Sequence, residues 1–214
     1  MIPITEQDDP RLEVFRGMGD SALKKNKQIL VDSGKVVNRL LAQNYPIHKL
    51  LITDAYLASC DENMRSQMPK DTYIGSKAVI ESIVGHKLHH GIIALASRPD
   101  DCLPTDFGDR IMILNGVNKA ENVGSLVRSC HGFGFDTLIV DRDSCSPWVR
   151  RCIRVSMGSV FTMKTYHSRG LTDTINLLIK DGYFCLGASL SKESLQSIYR
   201  KLGRFFNSLG FLIV

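Results

Sequence analysis

The sequence predicts an α/β fold in two modules: a small α/β module first, then a parallel-sheet domain. Three observations carry that prediction. Short uninterrupted apolar runs, such as Ile111-Met-Ile-Leu114 and Thr137-Leu-Ile-Val140, have the length and continuity of strands buried on both faces. Segments of helical period lie between such runs, as with Val123, Leu126, Val127 and Cys130 at i, i+3, i+4 and i+7. The alternation breaks once, at Arg98-Pro-Asp-Asp-Cys-Leu-Pro104, where two prolines and two acids without period mark a linker. The expected division is 1–97, a linker at 98–106, and 107–214.

Composition narrows the classes. With 43% hydrophobic residues over 214 positions, the chain can build one or two adequate cores. A formal net charge of +5 gives mild attraction to nucleic acid, a property shared by many unrelated proteins. None of the six cysteines forms a CxxC pair, and neither a secretory signal nor a long apolar span is visible. Scattered thiols fit a reducing compartment, so a cytoplasmic protein is expected, with an organelle as the alternative and no membrane partner.

In chain order, residues 1–20 carry little pattern and read as an extended arm or early loop. Lys24, Lys25 and Lys27 stand beside the apolar Gln28-Ile-Leu-Val31; they are candidate nucleic-acid contacts, and a solvated face accounts for them equally well. Residues 33–43 form a helix with Val36, Val37, Leu40 and Leu41 on one side. Residues 48–53 are a strand, and Asp54 opens a short helix. A strand follows at 71–74, then a helix capped by Ser76 that uses Val79, Ile80, Ile83 and Val84, then a strand at 91–96. His86-Lys-Leu-His-His90 lies between the last two. No acid or thiol lies close in sequence to complete a metal site there, so a loop or strand edge is expected and no metal.

The central unit is strand, loop, helix, strand. Residues 115–121 are polar, and Asn122 reads as the N-cap of the helix. Gly132 and Gly134 stop it. Arg128 lies off the apolar stripe, four residues after Gly124. Helical side chains lean toward the N-terminus. Its guanidinium is therefore expected to reach back over the bare glycine, toward the loop where open parallel sheets place ligands. A helix start adds an anion preference. Spacing alone supports an ordinary surface arginine equally.

Further on, Ser146-Pro147 reads as a helix start, with Ser as cap and Pro at the first helical position. Arg150, Arg151 and Arg154 cluster beside Trp148, either as a phosphate-contacting patch or as a solvated helix face. Residues 171–180 are a helix, 183–187 a strand, 193–206 a helix and 211–214 a last buried strand.

Asn122-Val-Gly124-Ser-Leu-Val-Arg128, followed by Phe133-Gly134-Phe-Asp, resembles the first signature of the SpoU (TrmH-like) RNA 2'-O-ribose methyltransferases of the SPOUT class. Just upstream it departs, with Asn118-Lys-Ala-Glu121 where that family usually has Asp-Pro before the Asn. Arg154-x-Ser156-x-Gly158 leading into Val160-Phe-Thr-Met163 is similar to the family's segment between first and second signatures. The N-terminal module resembles the L30e-like substrate-binding domain ahead of many SpoU domains. Its matching points are Arg16-Gly17, Leu50-Leu-Ile-Thr53, Gly85-His-Lys and Gly91-Ile-Ile-Ala94.

The resemblance implies a knotted α/β domain, S-adenosylmethionine as cofactor, rRNA or tRNA as partner, and a homodimer. It implies Arg128 and Asn122 as catalytic residues, and Ala188, Ser189 and Leu190, after the 183–187 strand, as cofactor-lining. Lys24, Lys25, Arg150, Arg151 and Arg154 would be RNA-binding. The family's Gly-Asn-Glu-Gly and Ser-Leu-Asn signatures do not occur in these 214 residues. The expectation is therefore a family member cut short, lacking its C-terminal knot segment, with dimerisation weakened and activity in doubt. A catalytically inactive RNA-binding or assembly protein is the alternative. A Rossmann-type oxidoreductase or methyltransferase ranks lower, because Asn115-Gly-Val-Asn-Lys-Ala-Glu121 offers one glycine where that fold needs a glycine-rich turn.

Overall fold

Apolar runs become strands and periodic segments become helices in the computed structural model, which describes residues 1–4, 6–16, 20–187 and 211–213. In chain order these are β1 (Ile2–Pro3), α1 (Asp20–Lys25), β2 (Gln28–Val31), α2 (Gly34–Ala42), β3 (Ile47–Thr53), α3 (Asp54–Ser59), α4 (Glu62–Ser66), β4 (Thr72–Gly75), α5 (Lys77–Val84) and β5 (Ile92–Ser97). Then come β6 (Arg110–Leu114), α6 (Ala120–Gly132), β7 (Thr137–Val140), α7 (Arg150–Val155), β8 (Lys164–His167), α8 (Leu171–Lys180), β9 (Phe184–Leu186) and β10 (Phe211–Ile213). They fall into two units: Met1–Pro99 with Trp148–Gly158, and Asp100–Pro147 with Ser159–Val214.

The first unit holds a mixed sheet in the order β1-β4-β3-β5-β2. β3 and β2 both run antiparallel to β5, and β4 runs parallel to β3 and β1. One core gathers Leu30, Leu51, Ile93 and Leu95 from the sheet with Ile80, Ile83 and Val84 of α5. α2 buries Val36, Val37, Leu40 and Leu41, as its period requires. Ser76 caps α5, its side chain accepting from the Val79 N–H at 3.4 Å.

The N-terminal segment departs from the expected extended arm or early loop. Pro10–Phe15 forms a 3₁₀ helix that buries Leu12 and Phe15 completely. Asp9 caps it, accepting from the Arg11 N–H at 2.9 Å. Arg16 donates to the Gln7 carbonyl, to the Asp9 carbonyl at 2.8 Å and to Glu13 at 2.9 Å. Two apolar residues three apart suit one 3₁₀ turn, too short a stretch for a period to show.

The second unit is an all-parallel sheet in the order β8-β7-β6-β10-β9. Ile111, Ile113 and Ile139 share a core with Leu178 of α8. Met112, Leu114, Leu138 and Val140, also buried, face the other way by strand alternation. β8 carries no apolar run, and the sequence did not announce it. The Lys164 and Ser168 N–H groups reach the Asp136 and Val140 carbonyls at 2.8 and 2.9 Å, the Thr165 carbonyl turns the other way to accept from the Cys102 N–H at 2.8 Å, and Thr165 itself is buried.

Two helix starts differ from expectation. α6 begins at Ala120 with Lys119 at the N-cap position and no side-chain cap. Ala120 and Glu121 favour helix, and the Val123 N–H already reaches the Lys119 carbonyl at 3.1 Å, so the first turn closes ahead of Asn122. α7 begins at Arg150, not after Ser146. Pro147 and Trp148 form a turn instead, which tucks the indole to 5% exposure before the helix can start.

Candidate active site at the sheet switch point

From β6 the chain steps outward to β7 and β8. β9 then lies at the opposite edge, with β10 between it and β6. The strand order therefore reverses between β6 and β10. In open parallel sheets the crevice at such a reversal, beyond the C-terminal strand ends, is where ligands bind. Residues 115–119 leave β6 into this crevice, and α6 follows them.

Asp141, at the end of β7 and 7% exposed, braces that loop. Its Oδ2 accepts from the Gly116 N–H at 3.1 Å and its Oδ1 from the Ser144 N–H at 2.8 Å. The Ser144 hydroxyl oxygen accepts from the Val117 N–H at 2.9 Å, and the Cys145 N–H bonds the Val117 carbonyl at 2.9 Å. Three of these hydrogen bonds join the loops after β6 and β7 and the fourth closes the β7 loop on itself, preorganising backbone at the crevice.

α6 buries Val123, Gly124, Val127 and Cys130 and leaves Asn122, Ser125 and Arg128 exposed. Steps of three along a helix make neighbours, so Asn122 and Arg128 share a polar surface that runs through Ser125. Among the described residues no hydrogen bond or ion pair engages Arg128. The thiol of Cys130 on the opposite side is pushed up to about 11 by burial, and burial also raises Cys185 on β9, so neither is a poised nucleophile. Ala188, Ser189 and Leu190 lie outside the described residues, as does the expected 193–206 helix; they follow β9 directly in sequence.

The other candidate residues lie in the first unit. Lys24 and Lys25 end α1 and are exposed. Arg150 and Arg154 converge on Asp32, which follows β2: Arg154 Nη1 donates to Oδ2 at 3.1 Å, and Arg150 Nε stands 3.6 Å from the same oxygen. Arg150 Nη1 is also 3.3 Å from His86 Nε2. Arg151 is exposed.

The Arg154-x-Ser156-x-Gly158 pattern ends α7. The Gly158 N–H bonds the Ile153 carbonyl at 3.0 Å, and the buried Ser156 hydroxyl donates to the same carbonyl at 3.1 Å. Gly158 has φ +77°, and a Cβ there would stand 2.8 Å from Val36 Cγ1 on α2. Sequence reasoning missed Asp32 and Asp141. Asp141 had a signal, an acid at the end of a buried strand, whereas nothing near Asp32 points to arginines 118 or more residues away.

A parallel sheet with braced loops at its reversal, and on the adjoining helix an arginine unpaired among the described residues, make this end of the α/β domain its candidate ligand site. Residues 109–210 match the SpoU rRNA methylase family model, and the chain carries a domain of that family. It is 30% identical over 163 residues to an uncharacterized tRNA/rRNA methyltransferase of Mycobacterium tuberculosis, a match spanning 72% of this chain and 56% of that protein. It is 25% identical over 152 residues to the 23S rRNA (guanosine-2'-O-)-methyltransferase RlmB of Coxiella burnetii, spanning 63% and 60%. The chain thus spans little more than half the length of these curated relatives. Among solved structures, an AdoMet-bound rRNA methyltransferase from Sinorhizobium meliloti superposes with a TM-score of 0.79 over 99% of this chain and 79% of that one, at 15% identity. A TrmH-family protein from Porphyromonas gingivalis gives 0.73 at 18% identity, over 99% and 80%. At these identities the likeness speaks for the fold.

Proposed function

We propose that the protein bearing this chain is an RNA 2'-O-ribose methyltransferase. The methyl carbon leaves the sulfonium of S-adenosylmethionine for a ribose 2'-oxygen of rRNA or tRNA. The C–S bond breaks, an O–C bond forms, and the hydroxyl proton is given up to solvent or a base. The observation that carries this reading is Arg128, exposed and unengaged among the described residues on a SpoU-family helix beside the sheet reversal.

An arginine stays protonated at any working pH, so its natural task is to hold the phosphate next to the target ribose and fix the hydroxyl for attack. Asn122 lines the same surface. The braced 115–119 loop and the residues after β9, 188–190, would form the cofactor wall. Two copies of the chain would make up the working assembly, and no metal is needed.

Calorimetric titration with S-adenosylmethionine, followed by transfer of labelled methyl to RNA, tests the reading. Alkali-resistant modified linkages are expected, because a 2'-O-methyl group blocks attack on the adjoining phosphodiester. Base-methylated, alkali-labile product would overturn the ribose assignment. Cofactor binding without transfer to any RNA would favour an assembly protein.

A further inference from the structure

Within the first unit a cavity of about 290 Å³ is lined by Asp32, Lys87, His89, His90, Arg151 and Arg154, among others. That volume is at the lower end of small-molecule pockets, ~300–1,000 Å³. It is formed where the 86–90 loop before β5 meets α7.

Lys87 and Arg154 line it with Arg151, which has a partner of its own, around one carboxylate. That carboxylate is already committed: the Asp32 side chain is 3% exposed and Oδ2 faces both Arg154 and Arg150. Two guanidinium groups share that one carboxylate and Lys87 adds a further cation, so positive charge is left over and calls for an anion. Holding guanidinium groups on a buried acid also fixes their direction in advance, which reduces the cost of ordering them on a ligand.

Two features argue for more than a bare phosphate. Asp32 Oδ1 has no hydrogen-bond partner among the described residues, leaving an acceptor for a hydroxyl or amino donor. The imidazoles of His89 and His90 are flat surfaces of the sort on which unstacked bases rest. A metal is not indicated: among the described residues no three His, Cys, Asp or Glu are grouped to hold one.

We propose that this cavity receives one unpaired ribonucleotide of the bound RNA. Its phosphate would lie on Arg154 and Lys87, and its base or sugar toward His89, His90 and Asp32. The inference rests on the RNA-directed reading above and adds a second contact point, separate from Arg128.

Binding of a short single-stranded RNA to the full chain, followed by fluorescence anisotropy, tests it. Lys87 and His89 are exposed, so Lys87→Ala with His89→Ala should leave the fold intact. This double variant should weaken binding about tenfold and make the salt dependence shallower by about 0.7 in log–log slope. Asp32→Asn should also weaken binding although it removes a negative charge, because it releases the arginines. Competition by a nucleoside monophosphate should exceed that by inorganic phosphate.

Tighter binding by Asp32→Asn would mean diffuse attraction and overturn the cavity. Unchanged binding by the double variant would overturn it too, while methyl transfer to RNA by the same protein would leave the proposed function standing. Equal competition by inorganic phosphate would reduce the site to an anion hole and overturn the nucleotide.

Discussion

On α6, Arg128 stands exposed, with no described residue to hold it. On α7, Arg150 and Arg154 are each only about a third exposed and converge on the nearly buried Asp32. The two helices are similarly rich in signals when read as sequence, and both carry motifs that resemble one family. Their arginines nonetheless have opposite surroundings. A guanidinium without an internal partner can exchange hydration for a substrate, whereas one pinned to a buried carboxylate first contributes to folding. The residue type is the same, and the counter-charge decides its role.

The sharpest way to break this contrast is Arg128→Ala. Methyl transfer should fall about 10²–10³-fold in single-turnover assays, with unfolding free energy changed by less than about 0.5 kcal/mol. A stability loss with turnover intact would reverse the assignment. Asp32→Ala should do the converse, lowering stability in urea by about 1–3 kcal/mol, since both guanidinium groups keep some access to water. A neutral result there would make Arg150 and Arg154 as free as Arg128.

Gly158→Ala sharpens the same comparison from the α7 side. It forces an L side chain to positive φ and drives a methyl against Val36, for a loss of about 1–2 kcal/mol measured by chemical denaturation. An unperturbed midpoint would show that the α7 ending is not held against α2.

An outlying pair, Asp9 with Arg11, sets the small end of the scale. The Arg11 guanidinium bonds the Asp9 carboxylate at 2.9 and 3.0 Å and holds it down to about 2. Because the folded value is depressed, the pair stabilises the protein above the ordinary carboxylate value of 3.8. Its contribution fades as the pH falls from there through about 2. An Asp9 titration midpoint near 3.8, followed by NMR, would remove even that effect.

Where period and continuity speak, the sequence was a good guide. α2, α5, α8 and β7 form where their apolar spacing put them, and the two-sided burial of β6 and β7 follows from their unbroken runs. Arg128 was legible because a helix fixes which residues share a face. The rest depended on long-range partners. β8 forms because it can add to an existing edge beside β7, not because its own residues are apolar. Asn122 lost its capping role when Ala120 and Glu121 closed the turn first. Asp32 reads as a loop acid until α7 arrives beside it.

That late arrival bears on how the protein is made. Asp32 and Arg154 are 122 residues apart, so at a translation rate of 5–20 residues per second roughly ten seconds pass between their syntheses. Through that interval the nascent first unit would carry an uncompensated acid at a site meant to close over it. A fragment ending at Pro99 would keep that defect permanently, and any dissection of the chain needs to carry residues 148–158 with the N-terminal half.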